Sequence, residues 1–262
     1  LILPHRSALF SDQAFALAPS QVLNRYVRGF MEACRVAKLH VSYPGRDLVT
    51  IDRRIVAAVS FDTDERGTLL FEAVIANTRE FSILPDLLEV IDRQGVVKAE
   101  LLTAAETTSL ARELGSEPCF EETAEMIRRG YERYFGLDLV PQALTPLEQQ
   151  AIDALAVREF SSPRWLYART RPPGLDRHVA TWAQLGVFEA FFALRQDRFI
   201  GDILFAGDFI ANRAAITALE RNLRLCPLEW QALNAVVNSI FEEPENYLLG
   251  VGKLRVIADL LA

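Results

Sequence analysis

The spacing of apolar residues changes abruptly between residues 39 and 40. Residues 19–39 begin with Pro19-Ser20, a helix start signal, and have apolar side chains at helical spacing. These side chains are Val22, Leu23, Tyr26, Phe30, Cys34 and Val36. Residues 40–76 instead contain short β-branched or apolar runs separated by turn residues, at 40–43, 47–51, 54–61 and 68–76. A helix followed by four consecutive strands with tight turns is therefore predicted.

The rest of the chain has helical patterns, then strands, then helices again. Helices are predicted over residues 80–92, 104–114, 120–135 and 145–160, the last with a capping box at residues 145–148. A Pro-Gly-rich linker at 169–177 precedes strands at 186–194 and 199–206, with Gln196-Asp197 in the turn, and helices at 213–225, 230–241 and 247–261. These patterns predict an α+β protein with one domain over residues 1–172 and a smaller one over residues 180–262.

Charge and cysteine content exclude several classes of protein. The 262 residues include 28 Lys and Arg and 35 Asp and Glu, a formal net charge of −7. The chain as a whole therefore lacks the excess of positive charge that is typical of proteins that bind nucleic acid or an anionic membrane. No apolar run approaches the roughly 20 residues of a membrane span. The three cysteines form no C-x-x-C pair, so we expect a reducing, cytoplasmic compartment. Because Leu1 begins the chain without a basic n-region, we expect an N-terminally trimmed chain and not a signal peptide.

Three arginines stand at turns or strand starts of the predicted sheet. Neighbouring strands would bring Arg46, Arg54 and Arg66 near one rim, which would make an anion or phosphate site. The alternative, favoured because charges normally lie at strand ends, is that all three are solvated turn residues.

Histidine and cysteine give weaker signals. His5, His40 and His178 share no metal-ligand spacing. Cys119 precedes a predicted helix, but no histidine neighbours it in sequence, and an inert thiol is favoured over a nucleophile. The chain contains none of the motifs G-x-G-x-x-G, G-x-x-x-x-G-K-[ST] and G-x-S-x-G, which excludes Rossmann, P-loop and α/β-hydrolase interpretations.

Three stretches, in the expected order, resemble the lipoate–protein ligases of the biotin/lipoate ligase superfamily. The first has G-R-D-L at 45–48, D-R-R-I-V-A at 52–57 and R-G-T-L-L-F at 66–71, and is similar to the family pattern G-R-N-D-L … R-K-V-S-G … H-G-T-L-L-L. The second, residues 120–165, resembles a helix, an L-T-x-x-E helix and a K-Y-x-S-x-E-W ending. The third, residues 186–223, resembles the accessory C-terminal domain with its G-x-F-E strand and G-D-F-F turn.

The resemblance implies a fold and a reaction. The implied fold is α+β, a biotin/lipoate ligase-like mixed sheet with flanking helices plus a small α/β C-terminal accessory domain. The implied activity is ATP-dependent activation of lipoate (or octanoate) to the acyl-adenylate, then acyl transfer to a carrier-domain lysine. ATP, Mg²⁺ and lipoate are substrates in such a protein, with no tightly bound cofactor. The implied partners are lipoyl carrier domains of 2-oxoacid dehydrogenase complexes or glycine cleavage H-protein.

The same resemblance implies roles for seven residues. Arg54 takes the position of the catalytic lysine, and Asp47 the position that serves the Mg²⁺–phosphate cluster. The implied ligand- and ATP-binding residues are Asp47, Ala57, Arg66, Gly67, Thr68 and Leu69. We therefore expect Asp47, Arg54 and Thr68 to converge on one cleft, where lipoyl-adenylate binds in relatives.

Several family features differ in this chain. Arg54 replaces the lysine, Val56-Ala57 the small pair after it, and Arg66 the histidine, and the asparagine of G-R-N-D is missing. A lysine ammonium is a compact point charge, whereas a guanidinium spreads its charge over a planar fork, so Arg54 does not reproduce the lysine geometry. The family's R-R-x-S-G-G-G and H-D-x-G-N segments would precede Leu1, and we expect them to be trimmed away, lost or supplied by a second chain. A sheet without those strands has an open edge.

Two further functions stay open. One is a non-catalytic paralogue or subunit that binds the acyl ligand or a carrier domain. The other is an octanoyltransferase with a cysteine nucleophile, which needs a cysteine where this chain has Thr107-Thr108-Ser109, and Cys119 is displaced from that place. ATP dependence separates the ligase from the octanoyltransferase, and adenylate formation separates the ligase from the paralogue.

Overall fold

The computed structural model describes residues 1–3, 19–45, 47–64, 68–84, 103–166 and 174–262. Within these ranges the chain forms a five-stranded and a three-stranded sheet, each covered by helices, which confirms the predicted α+β class. In the described part of the chain, no helix combines the length and the apolar character that crossing a bilayer requires.

The larger sheet is built from strands of the first half of the chain. They are β1 (Ile2–Leu3), β2 (Val41–Ser42), β3 (Leu48–Ile51), β4 (Arg54–Thr63) and β5 (Leu69–Ile75), in the order β1-β5-β4-β3-β2. The four predicted strands are confirmed. All neighbouring pairs are antiparallel, whereas a mixed sheet was expected, and the described residues add one isolated parallel bridge between Ile55 and Thr107. The connections that join β2, β3, β4 and β5 are too short for parallel pairing, because a parallel crossover needs about a dozen residues or more.

The turn between β3 and β4 is tight because its two central residues are left-handed. Asp52 and Arg53 have φ values of 48° and 66°. Two consecutive positive φ values are typical of a type I′ turn, whose twist matches that of the flanking strands. The turn predicted at Gln196 and Asp197 has the same geometry, with φ 54° at both residues.

One face of the larger sheet packs on the two long helices of this half of the chain, α1 (Pro19–Val36) and α3 (Phe120–Phe135). The other helices of this half are α2 (Leu110–Leu114), α4 (Pro146–Leu155) and α5 (Pro163–Leu166). The apolar face predicted for α1 is buried with β4 and β5 side chains such as Phe61 and Phe71. Val36 is the exception, 47% exposed, because it is the last residue of the helix and lies beyond the sheet-facing core.

Helices α1 and α3 approach each other closely where each has a glycine. A Cβ built on Gly130 would lie 2.4 Å from the carbonyl oxygen of Gly29 and 2.5 Å from the backbone nitrogen of Ala33. Next to this contact, the Tyr131 hydroxyl donates a 2.9 Å hydrogen bond to the carbonyl oxygen of Tyr26. The helices therefore pack backbone against backbone, and this close approach requires glycine at position 130.

Helix α2 is shorter than predicted. A helix was expected over residues 104–114, but α2 covers only its last five residues, capped by the Ser109 side chain. The preceding residues pair with β4 instead: Ile55 N–H donates to Glu106 O at 2.7 Å, and Thr108 N–H donates to Ile55 O at 2.9 Å. Of the helix predicted over residues 80–92, a 3₁₀ turn at Phe81–Ile83 is described, and residues 85–92 lie outside the described ranges.

Helix α4 begins as the sequence predicts. The Glu148 N–H donates to Thr145 Oγ1 at 3.2 Å, and the Thr145 N–H donates to the Glu148 carboxylate at 2.7 Å, which completes the capping box. After α4 the chain continues as a π-helical turn at Ala156–Phe160. The predicted helical extent is thus confirmed, with a wider hydrogen-bond spacing in its last part.

The C-terminal part of the chain forms a smaller unit. Its sheet has the order β6 (Arg177–Trp182), β7 (Val187–Arg195), β8 (Phe199–Gly207), beside the short pair β9 (Ile210–Ala211) and β10 (Leu248–Leu249). Its helices are α6 (Arg213–Leu223), α7 (Trp230–Phe241) and α8 (Val256–Leu261). The predicted strands and the first two helices are confirmed. The helix predicted over residues 247–261 is wrong in its first part, where β10 pairs with β9.

The smaller unit contacts the larger sheet through Tyr247. Its ring stacks on Phe61 with centroids 4.9 Å apart, and its hydroxyl lies 3.5 Å from Thr63 Oγ1. Burial at this contact raises the pKa of Tyr247 to about 12. The buried apolar residues form two clusters, and Ile210 and Tyr247 of the smaller unit belong to the cluster of the larger sheet. The domain limits at residues 172 and 180 stay a prediction.

A buried carboxylate in β7 allows a stability prediction. Glu189 is 1% exposed, and its Oε2 lies 3.0 Å from Nε2 of His178 in β6. A hydrogen bond to a charged group contributes about 1.5–3 kcal/mol, so we expect His178→Ala to lower the free energy of unfolding by about 2 kcal/mol. Urea unfolding followed by circular dichroism measures the loss, with the exposed His40→Ala as control. A difference between the two variants below about 1 kcal/mol would contradict the expectation.

Candidate functional site

Arg54, which the sequence resemblance places at the catalytic lysine position, is held by α2. Its Nη2 donates a 2.8 Å hydrogen bond to Oε1 of Glu113, and the Thr108 hydroxyl donates to the same oxygen. The Arg54 and Glu113 side chains are 27% and 13% exposed. The Nε of Arg54 is buried and has no hydrogen-bond partner among the described residues. Arg54 and Glu113 therefore form a partly buried ion pair.

The structure does not bring Arg54, Asp47 and Thr68 together. Arg54 begins β4, which has 10 residues, and Thr68 accepts a 3.0 Å hydrogen bond from Asp64 N–H just beyond its other end. At about 3.3 Å per residue, roughly 30 Å separates the two positions. Asp47 lies between them, where its carbonyl oxygen accepts from Val59 N–H at 2.6 Å. The expected convergence is not observed, and the roles of the three residues stay predictions.

Two cavities lie on the sheet face opposite α1 and α3, under the smaller unit, and we call them together the trough. Their volumes are about 310 and 590 Å³. The floor of the smaller cavity includes the cross-strand pair Ser60–Glu72, and that of the larger cavity includes the next pair on the same face, Asp62–Leu70. Because these pairs are neighbours along β4 and β5, the two cavities adjoin.

The smaller cavity of the trough is acidic. Asp47, Glu72 and Asp208 all line it, and Asp208 Oδ2 accepts a 2.8 Å hydrogen bond from Val187 N–H. Burial and, second, the charge of Asp47 raise the pKa of the nearby Tyr43 to about 12. Three carboxylates around one cavity favour a cation there over an anion.

The larger cavity of the trough has a basic wall. Arg213, Thr217 and Arg221 line it from α6, and their spacing of four residues places them on one helix face. Asp62 and Thr68 line the opposite side. Of the predicted site residues, the trough thus contains Asp47 in one cavity and Thr68 in the other.

The remaining predicted residues lie elsewhere. Ala57 is fully buried in the core under α1, and Leu69 packs against the same core, so neither lines the trough. Arg66 and Gly67, together with Arg46, lie outside the described residues. The ligand-binding roles of Ala57, Arg66, Gly67 and Leu69 stay predictions.

The role in binding Mg²⁺ that the resemblance implies for Asp47 stays a prediction. In the ranges that the structure describes, no three His, Cys, Asp or Glu residues are placed to hold a metal ion together. Mg²⁺ commonly binds one or two carboxylates together with substrate phosphates.

The three thiols differ in their access to solvent, which gives a second prediction. Cys34 is fully buried, and burial raises its pKa to about 12. Cys226 is 8% exposed, and burial raises its pKa as well, whereas Cys119 is exposed. We expect one thiol of the native protein to react rapidly with a chromogenic disulfide, and all three to react in urea. Cys119→Ser should abolish the rapid reaction, and a rapid reaction that persists in this variant would contradict the assignment.

Sequence reasoning missed Glu113, Thr108 and the basic face of α6. Glu113 lies 59 residues from Arg54, and no local pattern connects the two. For the basic face a signal existed, because Arg213, Thr217 and Arg221 are spaced by four on a predicted helix.

Known proteins resemble this chain in structure. No protein-family model and no curated protein sequence matches it. Its fold is similar to the crystal structure of P. falciparum LipL1 in complex with lipoate, with a TM-score of 0.58, 12% identity and coverage of 90% of this chain. This chain spans 66% of that protein, slightly less than two thirds.

Two further solved structures match a smaller part of the chain. One is a bi-partite lipoate protein ligase with its E2 lipoyl domain from Thermoplasma acidophilum, with a TM-score of 0.49, 14% identity, and coverage of 60% of this chain and 61% of that chain. The other is lipoate-protein ligase A bound with ATP, with a TM-score of 0.42, 11% identity, and coverage of 56% and 58%.

The fold therefore defines an α+β protein with a five-stranded antiparallel sheet and a smaller sheet-and-helix unit. The chain shares this fold with P. falciparum LipL1 over 90% of its length. The resemblance recognised in the sequence is thus confirmed at the level of fold.

Proposed function

We propose that this chain is a lipoate–protein ligase-like protein. In the proposed reaction, ATP-dependent activation of lipoate (or octanoate) gives the acyl-adenylate, and the acyl group passes to a carrier-domain lysine. The observation that supports the proposal is the fold shared with LipL1 over 90% of the chain. The proposed carriers are lipoyl domains of 2-oxoacid dehydrogenase complexes or glycine cleavage H-protein.

The two steps make different demands on the residues of the chain. In the first, a carboxylate oxygen of lipoate attacks the α-phosphate of ATP and pyrophosphate leaves, so a cation must stabilise the developing negative charge. The resemblance implies Arg54 as this cation and Asp47 as the partner of Mg²⁺, although the structure places the two apart along β4. In the second, the carrier lysine attacks the acyl carbonyl and AMP leaves. The acidic cavity at Asp47, Glu72 and Asp208 suits the approach of a positively charged lysine.

A second candidate function is a non-catalytic paralogue or a subunit that binds the acyl ligand or the carrier. The ion pair between Arg54 and Glu113 favours this candidate, because a neutralised guanidinium does not stabilise a transition state. A subunit of this kind would act beside a second chain that supplies the glycine-rich segment.

The experiment that tests the proposal combines binding and transfer. The 262-residue chain is mixed with lipoate, ATP, Mg²⁺ and a lipoyl domain, and lipoylation is followed by intact-protein mass spectrometry. Calorimetry measures binding of lipoate, of a non-hydrolysable lipoyl-adenylate analogue and of the lipoyl domain separately. Product formation supports the ligase, and binding without product supports the subunit. Absence of both product and binding refutes a ligase-like function.

A further inference from the structure

The larger cavity of the trough contains two arginines that have no carboxylate partner among the described residues. Arg213 and Arg221 are both exposed, and neither forms an ion pair or a side-chain hydrogen bond with any residue in the described ranges. Arg224, directly after the same helix, is instead paired with Asp202 at 3.0 Å. Because guanidinium groups bind phosphate and carboxylate oxygens well, this wall of the cavity is suited to an anion.

The opposite wall of the larger cavity carries two carboxylates, Asp62 and Asp64. Asp62 Oδ1 accepts a 2.7 Å hydrogen bond from Thr63 N–H, and Asp64 Oδ1 accepts one of 2.7 Å from Thr68 N–H. A small anion such as phosphate is attracted by the arginine wall and repelled by the carboxylate wall. The two walls together therefore favour a ligand with an anionic end and a hydrogen-bond-donating end.

Small and apolar side chains lie between these two walls. Ala214 and Ala218 line the cavity from α6, and Leu70 lines it from β5. Arg213 and Arg221 are eight residues apart on α6, which is about 12 Å along the helix axis at about 1.5 Å per residue. The cavity volume of about 590 Å³ lies in the range of roughly 300–1,000 Å³ that is typical of small-molecule sites. An elongated ligand with an apolar part fits this shape.

We propose that the larger cavity binds a nucleoside polyphosphate. Its phosphates contact Arg213 and Arg221, its ribose hydroxyls donate to the Asp62 carboxylate, and its base lies against the small and apolar side chains between the walls. This ligand satisfies both walls, because phosphate oxygens accept hydrogen bonds from guanidinium groups, whereas ribose hydroxyls donate them to a carboxylate. An amino acid also has ends of opposite polarity, but it would leave one arginine and most of the cavity empty.

A nucleotide site in this cavity goes beyond the proposed function. Strand β4 separates the cavity from Arg54 by roughly 30 Å, so a nucleotide bound here is not one that lipoate attacks beside Arg54. Thr63 lines the cavity and also contacts Tyr247, where the smaller unit meets the larger sheet. A nucleotide bound to both walls therefore stabilises the contact between the two units and makes it sensitive to nucleotide concentration.

Calorimetry of the 262-residue chain with ATP, in the absence of Mg²⁺ and lipoate, tests the arginine wall. We expect Arg213→Gln and Arg221→Gln each to weaken ATP binding about tenfold, since each removes charge-assisted hydrogen bonds to phosphate. Arg224→Gln is the matched control, because it makes the same chemical change at the end of the same helix, where the guanidinium is paired with Asp202. Its affinity should stay unchanged. Absence of ATP binding, or unchanged affinity in both cavity variants, would overturn the proposal.

A comparison of ligands tests the carboxylate wall. Inorganic triphosphate and 2′,3′-dideoxy-ATP should each bind about tenfold more weakly than ATP, because neither offers the ribose hydroxyls to Asp62. Asp62→Ala should reduce the affinity for ATP and leave the affinity for dideoxy-ATP at or above its original value, which isolates the contact between the carboxylate and the ribose. If ATP and inorganic triphosphate bind equally tightly, the cavity recognises only phosphates, and the nucleoside part of the proposal is wrong.

Backbone NMR locates the bound nucleotide on the chain. We expect ATP to shift the amide signals of Thr63, Thr217 and Ala218, which line the larger cavity. Shifts confined to Ile55 and the other neighbours of Arg54 would overturn this inference and would still support ATP binding in the proposed function. Because the test measures binding without lipoate or a carrier, a failure of lipoylation leaves its result intact.

Discussion

Replacing Gly130 with alanine is expected to lower the free energy of unfolding by about 2–3 kcal/mol, because the new methyl group has no space between α1 and α3. It would meet the carbonyl oxygen of Gly29 at 2.4 Å and the Cβ and N of Ala33 at 2.5 Å, in backbone that cannot move without separating the helices. Alanine has the higher helix propensity by about 1 kcal/mol, so the steric cost exceeds the net loss by about that amount. Urea unfolding gives the free energy, and the melting temperature should fall by roughly 4–12 °C.

Gly136→Ala is the matched control, since it makes the same chemical change at the end of the same helix. Gly136 has φ 66°, and nothing lies within 4 Å of a Cβ built there. Alanine at this position only has to adopt the left-handed backbone conformation, which costs about 1 kcal/mol of the free energy of unfolding. If Gly130→Ala were no more destabilising than Gly136→Ala, the close contact of α1 and α3 would be refuted.

The elements that the sequence predicts well are those with signals inside their own segment. The β3–β4 hairpin follows from two apolar runs separated by Asp52-Arg53. Helix α3 ends at Gly136, as its glycine stop predicts, and α4 begins at its capping box. In each case the decisive residues lie within a few positions of the element that they define.

The elements that the sequence missed depend on distant partners. Glu106 and Thr108 form backbone hydrogen bonds with Ile55, about 50 positions earlier, and this contact overrides the weak helical pattern of their segment. Strand β6 lies beside a Pro-Gly linker composition and becomes a strand because β7 pairs with all six of its residues. Strand β10 likewise exists only through β9. No local pattern contains such information.

Part of the site geometry was already available in the sequence. Arg54 begins the first strand of the β4–β5 hairpin, and Thr68 precedes the second strand, next to the turn. A hairpin places the start of its first strand opposite the end of its second, so these two positions were bound to lie far apart. The pairing of Arg54 with Glu113 was not available, because it follows from the tertiary position of α2.

The second large effect concerns the first chemical step. We expect the 262-residue chain alone to form lipoyl-adenylate about 10²–10³ times more slowly than a complete lipoate–protein ligase assayed beside it, the usual cost of one displaced electrostatic group. Two features cause this: the cation at position 54 is a guanidinium, and Glu113 and Thr108 hold it in an ion-pair network. Pyrophosphate release and transfer to a lipoyl domain are the measured quantities. Lipoylation by this chain at a rate comparable with the complete ligase would contradict the prediction.

The variants of this network separate the two causes. Arg54→Lys restores the compact cation, but the Glu113 carboxylate would capture the ammonium, so we expect a rescue of less than about tenfold. Glu113→Gln removes the competing charge and keeps the shape of the side chain. If the Glu113 carboxylate keeps the cation from the reaction, the double variant Arg54→Lys, Glu113→Gln should increase the rate of adenylate formation by more than the product of the two single effects. Glu117→Gln is the control, a neighbouring exposed carboxylate, and should change nothing. Equal rates in all variants and the original chain would exclude Arg54 from the reaction and would favour the non-catalytic subunit.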